Sequence, residues 1–114
     1  MSVTIYHNPR CSKSRQTLEL IRAHGTEPHI VEYLQTPPSA DQLKDILTKL
    51  GKTAAQIVRP KEAKEEGIGV AALDNDALIA ALVAHPRAIE RPIVVTDDDA
   101  VLGRPPENVL DLIA

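Results

Sequence analysis

The order in which short apolar runs alternate with helical stretches constrains this chain more than any other feature. VTIYH (3–7) is β-branched and aromatic and is ended by Asn8-Pro9, which predicts a strand. From Ser12 to His24 the pattern turns helical, with Leu18 and Ile21 on one side and Gly25 as a C-terminal stop. HIVEYL (29–34) predicts a second strand, closed by Thr36-Pro37-Pro38. A strand–helix–strand opening predicts parallel pairing. Near the other end, PIVVT (92–96) and AVLG (100–103) flank Asp97-Asp98-Asp99, a hairpin turn that predicts antiparallel pairing. The fold class is therefore α/β, with a small mixed four-stranded sheet.

Between these halves the chain reads as helical, an insertion at about 39–86. Ser39 and Gln42 form a capping-box pattern, and Leu43, Ile46, Leu47 and Leu50 follow at i, i+3, i+4, i+7 before Gly51. Thr53 and Gln56 repeat the capping pattern, KEAKEEG (61–67) reads as a polar surface turn or short helix, and a further helix fits Asp76 to His85, stopped by Pro86. Pro105-Pro106-Glu107 suits the start of a last helix whose apolar side is Val109, Leu110 and Ile113. Residues 1–114 are expected to form a single domain, enough for one core and not two. With two Tyr and no Phe or Trp, that core must be aliphatic.

A net charge of −3 and an isoelectric point near 5.8 leave no basic excess for nucleic acid, and the missing aromatics leave no stacking platforms. There is no run of 18 apolar residues and no secretory signal, so neither a membrane nor export is expected. One cysteine cannot form an internal disulfide, which points to a reducing cytoplasm.

That cysteine, Cys11, lies in HNPRCSKSR (7–15). A lone cysteine is most often a small buried hydrophobe, but the flanking Arg10, Ser12, Lys13, Ser14 and Arg15 are no apolar core sequence. The expected helix start puts the sulfur beside free N–H groups and the positive dipole end, with no acid until Glu19. At an ordinary pKa near 8.5 about 3% of a thiol is ionised at pH 7, whereas a pKa of about 6 gives roughly 90%. The same loop attracts an oxyanion. Ser14 stands where a dithiol oxidoreductase carries its second cysteine, so a resolving thiol must come from outside, and the Ser14 hydroxyl is free to donate to the thiolate.

Together YHNPRCSKSR, RPIVV and GRPPE resemble the glutaredoxin-coupled arsenate reductases of the ArsC family, and within it the short YfgD-like members; the likeness runs in order over essentially the whole chain. The resemblance implies a thioredoxin-like fold with an inserted helical region, and reduction of arsenate with glutathione as co-substrate and glutaredoxin as partner. It makes Cys11 the catalytic cysteine, His7 the histidine that tunes it and Ser14 the serine that follows it. It gives Arg59, Arg91 and Arg104 to the oxyanion and makes Pro92 the structural cis-proline. Guanidinium groups suit such a ligand because they bind paired oxygens in a two-pronged fashion. No bound cofactor and no metal are implied. Ser12-Lys13 replaces the Gly-Thr commonly found in the family, Pro60 follows Arg59, and longer members continue beyond the point where this chain stops, Ala114.

Two other readings remain at this level: a redox-regulatory protein of the Spx type that binds RNA polymerase, from which Ser14 removes the C-x-x-C switch, and a glutathionylated thiol protein without efficient arsenate activity. GIGVAA (67–72) matches a dinucleotide-loop pattern but follows a charged stretch and no strand. His24, His29 and His85 have no metal-ligand spacing with Cys11.

Overall fold

Alternation at the N-terminus builds the first strand, β1 (Thr4–Tyr6): Ile5 is fully buried and its two neighbours half-buried. The structure is a computed structural model and describes residues 2–113. Helix α1 (Ser12–Ala23) follows, and its buried residues Ser14, Thr17, Leu18 and Ile21 recur at three- and four-residue spacing, one face of a helix. Gly25, at φ +82°, takes the left-handed turn after it, where a side chain would be strained. Strand β2 (His29–Val31) is shorter than HIVEYL predicts. The Glu32 carbonyl accepts the amides of Gln35 (2.9 Å) and Thr36 (3.0 Å), so the chain coils into a turn ahead of the two prolines.

The predicted capping box at Ser39 and Gln42 is present and opens α2 (Ala40–Leu50), which Gly51 ends in the left-handed conformation at φ +68°. The second capping box, Thr53 with Gln56, starts a 3-10 turn (Ala54–Ile57). Pro60 then sits in the first turn of α3 (Pro60–Glu65), a position that needs no amide proton. The GIGVAA segment contains only a 3-10 turn (Val70–Ala72), with no strand in front of it. Asp74 caps α4 (Asn75–Ala84) by accepting the Ala77 amide at 2.8 Å, and a 3-10 turn (Pro86–Ala88) follows. Strands β3 (Ile93–Val95) and β4 (Ala100–Leu102) form the predicted hairpin, in which Thr96 N–H donates to the Asp99 carbonyl at 2.8 Å. The last helix begins as a 3-10 turn (Pro106–Val109) before α5 (Leu110–Ile113).

Two compact units result: Met1–Thr36 with Arg91–Ala114, and Pro37–Glu90. The second contains the predicted insertion of about 39–86.

The first unit carries the four-stranded mixed sheet in the order β2-β1-β3-β4. β1 pairs parallel with β2 (Ile5 opposite Ile30) and antiparallel with β3 (Ile5 opposite Val94), while β3 pairs antiparallel with β4. Its core is aliphatic, as expected: Val3, Ile5, Leu18, Ile21, Val94 and Val109 cluster together. Removing a side chain such as Ile21, which is fully buried, would cost about 2–5 kcal/mol. The second unit packs α2 on α4, buries Leu43, Ile46, Leu47, Leu78, Ile79 and Leu82, and closes on an isolated bridge between Val58 and Ile89. Among the described residues no helix is long and apolar enough to cross a membrane.

Candidate active site

Cys11 is the N-cap of α1, as the sequence predicts, with extended backbone (φ −92°, ψ 122°) and 9% exposure. Its amide donates to the Asn8 carbonyl (3.0 Å), and its carbonyl accepts the Arg15 amide (3.0 Å), the first bond of the helix. The loop in front is tied down twice more: Asn8 Oδ1 accepts the Arg10 amide (3.0 Å), and Arg15 Nη1 donates to the Pro9 carbonyl (2.9 Å). These bonds fix the sulfur over the open end of the helix.

Burial alone would raise the Cys11 thiol, and it is the largest single influence. The Ser14 amide, the charge and hydrogen bond of the Arg91 guanidinium and the Lys13 amide act the other way, and the net shift is downward. Each favours the thiolate: two are the unsatisfied donors of the first helical turn, and the third is a cation. Arg104 Nη1 lies 3.9 Å from the sulfur and also donates to the Arg91 carbonyl at 3.2 Å. Arg91 has its Nε and Nη1 buried. The peptide bonds before Pro92 and Pro105 are cis.

His7 and Ser14 come together, in contact with each other. His7 is 6% exposed, and its Nδ1 lies 2.6 Å from Ser14 Oγ, which also accepts the Asn8 amide at 3.0 Å. The Ser14 hydroxyl is thus held by His7 and Asn8, and the Ser14 group that faces the thiol is its amide. Burial lowers the His7 pKa; Glu32 partly opposes this, and Arg22 and Arg15 add to it. Burial thus disfavours the His7 cation, and the ring's contact here is with the Ser14 hydroxyl.

Arg59 belongs to the other unit. It is the N-cap of α3, where Nη1 pairs with Glu62 (2.8 Å) and Nε faces Glu90 (3.7 Å).

Several residues of the site escape sequence reasoning. Gly103 passes so close to α1 that a Cβ there would lie 2.5 Å from Thr17 Oγ1 and 2.8 Å from Pro92 Cγ. Thr17 is fully buried and donates to the Lys13 carbonyl at 2.8 Å. Asn108 Nδ2 donates to the carbonyls of Leu102 (3.3 Å) and Arg104 (3.1 Å). One signal was available: Ser14 and Thr17 are polar residues on the same face as Leu18 and Ile21, where a pure core face would be apolar. Among the described residues no group of three or more His, Cys, Asp or Glu could hold a metal ion. The site is a thiol shifted toward thiolate beside guanidinium groups, an arrangement chemically suited to attack on a bound oxyanion.

Comparison with known proteins agrees. The ArsC family model matches residues 6–112. The YfgD protein of Escherichia coli (strain K12) is 49% identical over 114 residues, covering 97% of this chain and 96% of its own. The arsenate reductase of Neisseria meningitidis serogroup A is 47% identical over 110 residues, covering 94% of each. Among solved structures, the arsenate reductase from Vibrio cholerae superposes with a TM-score of 0.91 at 49% identity, covering all of this chain and 98% of that one. With its mixed four-stranded sheet the fold is thioredoxin-like, and the chain belongs to the ArsC family.

Proposed function

We propose that this chain is an arsenate reductase that draws its electrons from glutathione and is restored by glutaredoxin. One observation carries the reading: the single thiol of the chain sits at the N-cap of α1, shifted toward thiolate, with Arg91 and Arg104 beside it. That two of its relatives are arsenate reductases supports the choice of oxyanion.

Arsenate docks against Arg91, Arg104 and the amides that open α1. The Cys11 thiolate attacks arsenic; an S–As bond forms, an As–O bond breaks, and the departing hydroxide takes a proton and leaves as water. Arsenic is still pentavalent. The thiol of glutathione, losing its proton, then attacks the Cys11 sulfur. The S–As bond breaks with its electron pair moving to arsenic, so trivalent arsenite leaves and the two sulfurs are joined in a mixed disulfide. Glutaredoxin with a second glutathione reduces that disulfide. The external thiol is needed because the chain has no second cysteine.

His7 and Ser14 hold the loop in place and keep the Ser14 amide on the sulfur. Pro92 packs where β3 begins, against the close approach of Gly103. The family resemblance also gives the oxyanion to Arg59, a part that substitution tests separately.

A coupled assay with NADPH, glutathione reductase, glutathione, glutaredoxin and arsenate checks the reading. Arsenate-dependent NADPH oxidation that disappears in Cys11→Ser is the expected result. A protein that takes glutathione onto Cys11 but releases no arsenite is instead a thiol protein without arsenate activity.

A further inference from the structure

Arg104 is a long side chain on an exposed corner, yet the backbone that carries it is held from two sides. On the inner side the Gly103 carbonyl lies 3.4 Å from Thr17 Oγ1, and a Cβ on Gly103 would fall 2.5 Å from that oxygen. The strand end therefore already sits as close to α1 as a backbone can. On the outer side, Asn108 Nδ2 reaches the Leu102 carbonyl at 3.3 Å and the Arg104 carbonyl at 3.1 Å. These are the two carbonyls that flank Gly103. Both accept, so only the NH2 edge of the amide can face them. Asn108 is itself anchored, because its 3-10 turn buries Pro106 and Val109 and packs on α1.

We infer that Asn108 is a positioning residue for the oxyanion: its amide bridges Leu102 and Arg104 and so fixes the corner from which Arg104 reaches Cys11. The inference rests on the reading above, in which Arg104 binds the oxyanion. The physical reason is preorganisation. A guanidinium whose backbone wanders must be immobilised when the ligand arrives, and that ordering is subtracted from binding. Asn108 does part of the ordering in advance. It acts through Arg104, whereas the Ser14 amide, Arg91 and the Lys13 amide act on the thiol directly.

Asn108→Ala removes the two donors, and Asn108→Asp keeps the shape but turns a carboxylate on two carbonyls. Three quantities decide: the KM for arsenate, the arsenate concentration that half-protects Cys11 from iodoacetamide, and the Cys11 thiolate midpoint. Asn108→Ala should raise the first two by about 2- to 10-fold, the range set by neutral hydrogen bonds, with kcat little changed. Asn108→Asp should raise them further. The thiolate midpoint should move in neither by more than it does in Arg104→Ala. In an Arg104→Ala background, Asn108→Ala should add nothing, because the residue it positions is gone. A parental KM in Asn108→Ala beside an impaired Arg104→Ala overturns the inference alone, as does an additive double variant or a midpoint moved further than in Arg104→Ala. If Arg104→Ala is as good as the parent, or arsenate fails to protect Cys11 in the parent, the oxyanion reading itself fails and this inference with it. Should Asn108→Asp not fold, Asn108→Ala decides.

Discussion

Two arginines from each unit of this molecule are turned on opposite kinds of partner. In the Pro37–Glu90 unit, Arg59 is turned on Glu62 and Glu90, and Arg87 on Glu65 (2.7 Å) and Glu66 (3.5 Å). Their charge is taken up by carboxylates of their own unit. In the unit that holds Cys11, Arg91 acts on the thiol, and Arg104 is turned on the Cys11 sulfur and the Arg91 carbonyl. These contacts are to a sulfur and a carbonyl, where those of Arg59 and Arg87 are to carboxylates. The residue type is the same in both places, and what differs is the partner.

The sharpest break between the units should come from the sulfur. Cys11→Ser should reduce arsenate turnover and glutathione adduct formation to background together, followed by the coupled assay and by intact mass after oxidised glutathione. Retained reduction would place the chemistry away from the only thiol.

The arginines come next. Arg91→Ala and Arg104→Ala should each lower kcat/KM for arsenate by roughly 10- to 150-fold, the worth of a charge-assisted hydrogen bond. Lys should rescue only in part, because a point charge lacks the two-pronged geometry. Arg91→Ala should also raise the Cys11 thiolate midpoint, because its charge and hydrogen bond favour the thiolate. Arg59→Ala should cost least of the three, about 3-fold or less, since its guanidinium already serves two carboxylates. A loss there equal to that of Arg104 would erase the contrast between the units.

A smaller effect concerns His7. Its folded pKa lies below the ordinary 6.5, because burial disfavours the cation. The unfolded chain therefore binds the proton more readily, and the stability His7 contributes is full above about 6.5 and lost as pH falls through the lower folded value. Urea midpoints measured from pH 7 downward should show that decline, and His7→Gln should flatten it. An identical decline in both proteins would remove His7 from the acid limb.

Much of this was legible in the sequence because it depends on local chemistry. The capping boxes at Ser39 and Thr53, the glycine stop at Gly51, the strand–helix–strand opening and the hairpin around Asp97–Asp99 all follow from residues a few positions apart. The place of Cys11 at a helix start was legible for the same reason. What the sequence does not reveal depends on distant partners. Ser14 reads as a hydroxyl for the thiolate until His7 is seen 2.6 Å from it. His7 reads only as the histidine that tunes the thiol, and its burial, which disfavours the cation, is not legible. Gly103 reads as part of a strand until Thr17, 86 positions away in sequence, is found against it. β2 stops at Val31 because Glu32 accepts two amides from the turn, a competition that β-propensity does not register.

The central claim is that first-turn amides and Arg91 outweigh burial and shift Cys11 toward the thiolate. Thiolate absorbance near 240 nm, followed across pH against the Cys11→Ser protein as blank, tests it directly. A midpoint clearly below the ordinary thiol value of about 8.5 is the predicted result. A midpoint at or above that value would mean that burial prevails, that the sulfur is an inert thiol at pH 7, and that the site cannot work as described.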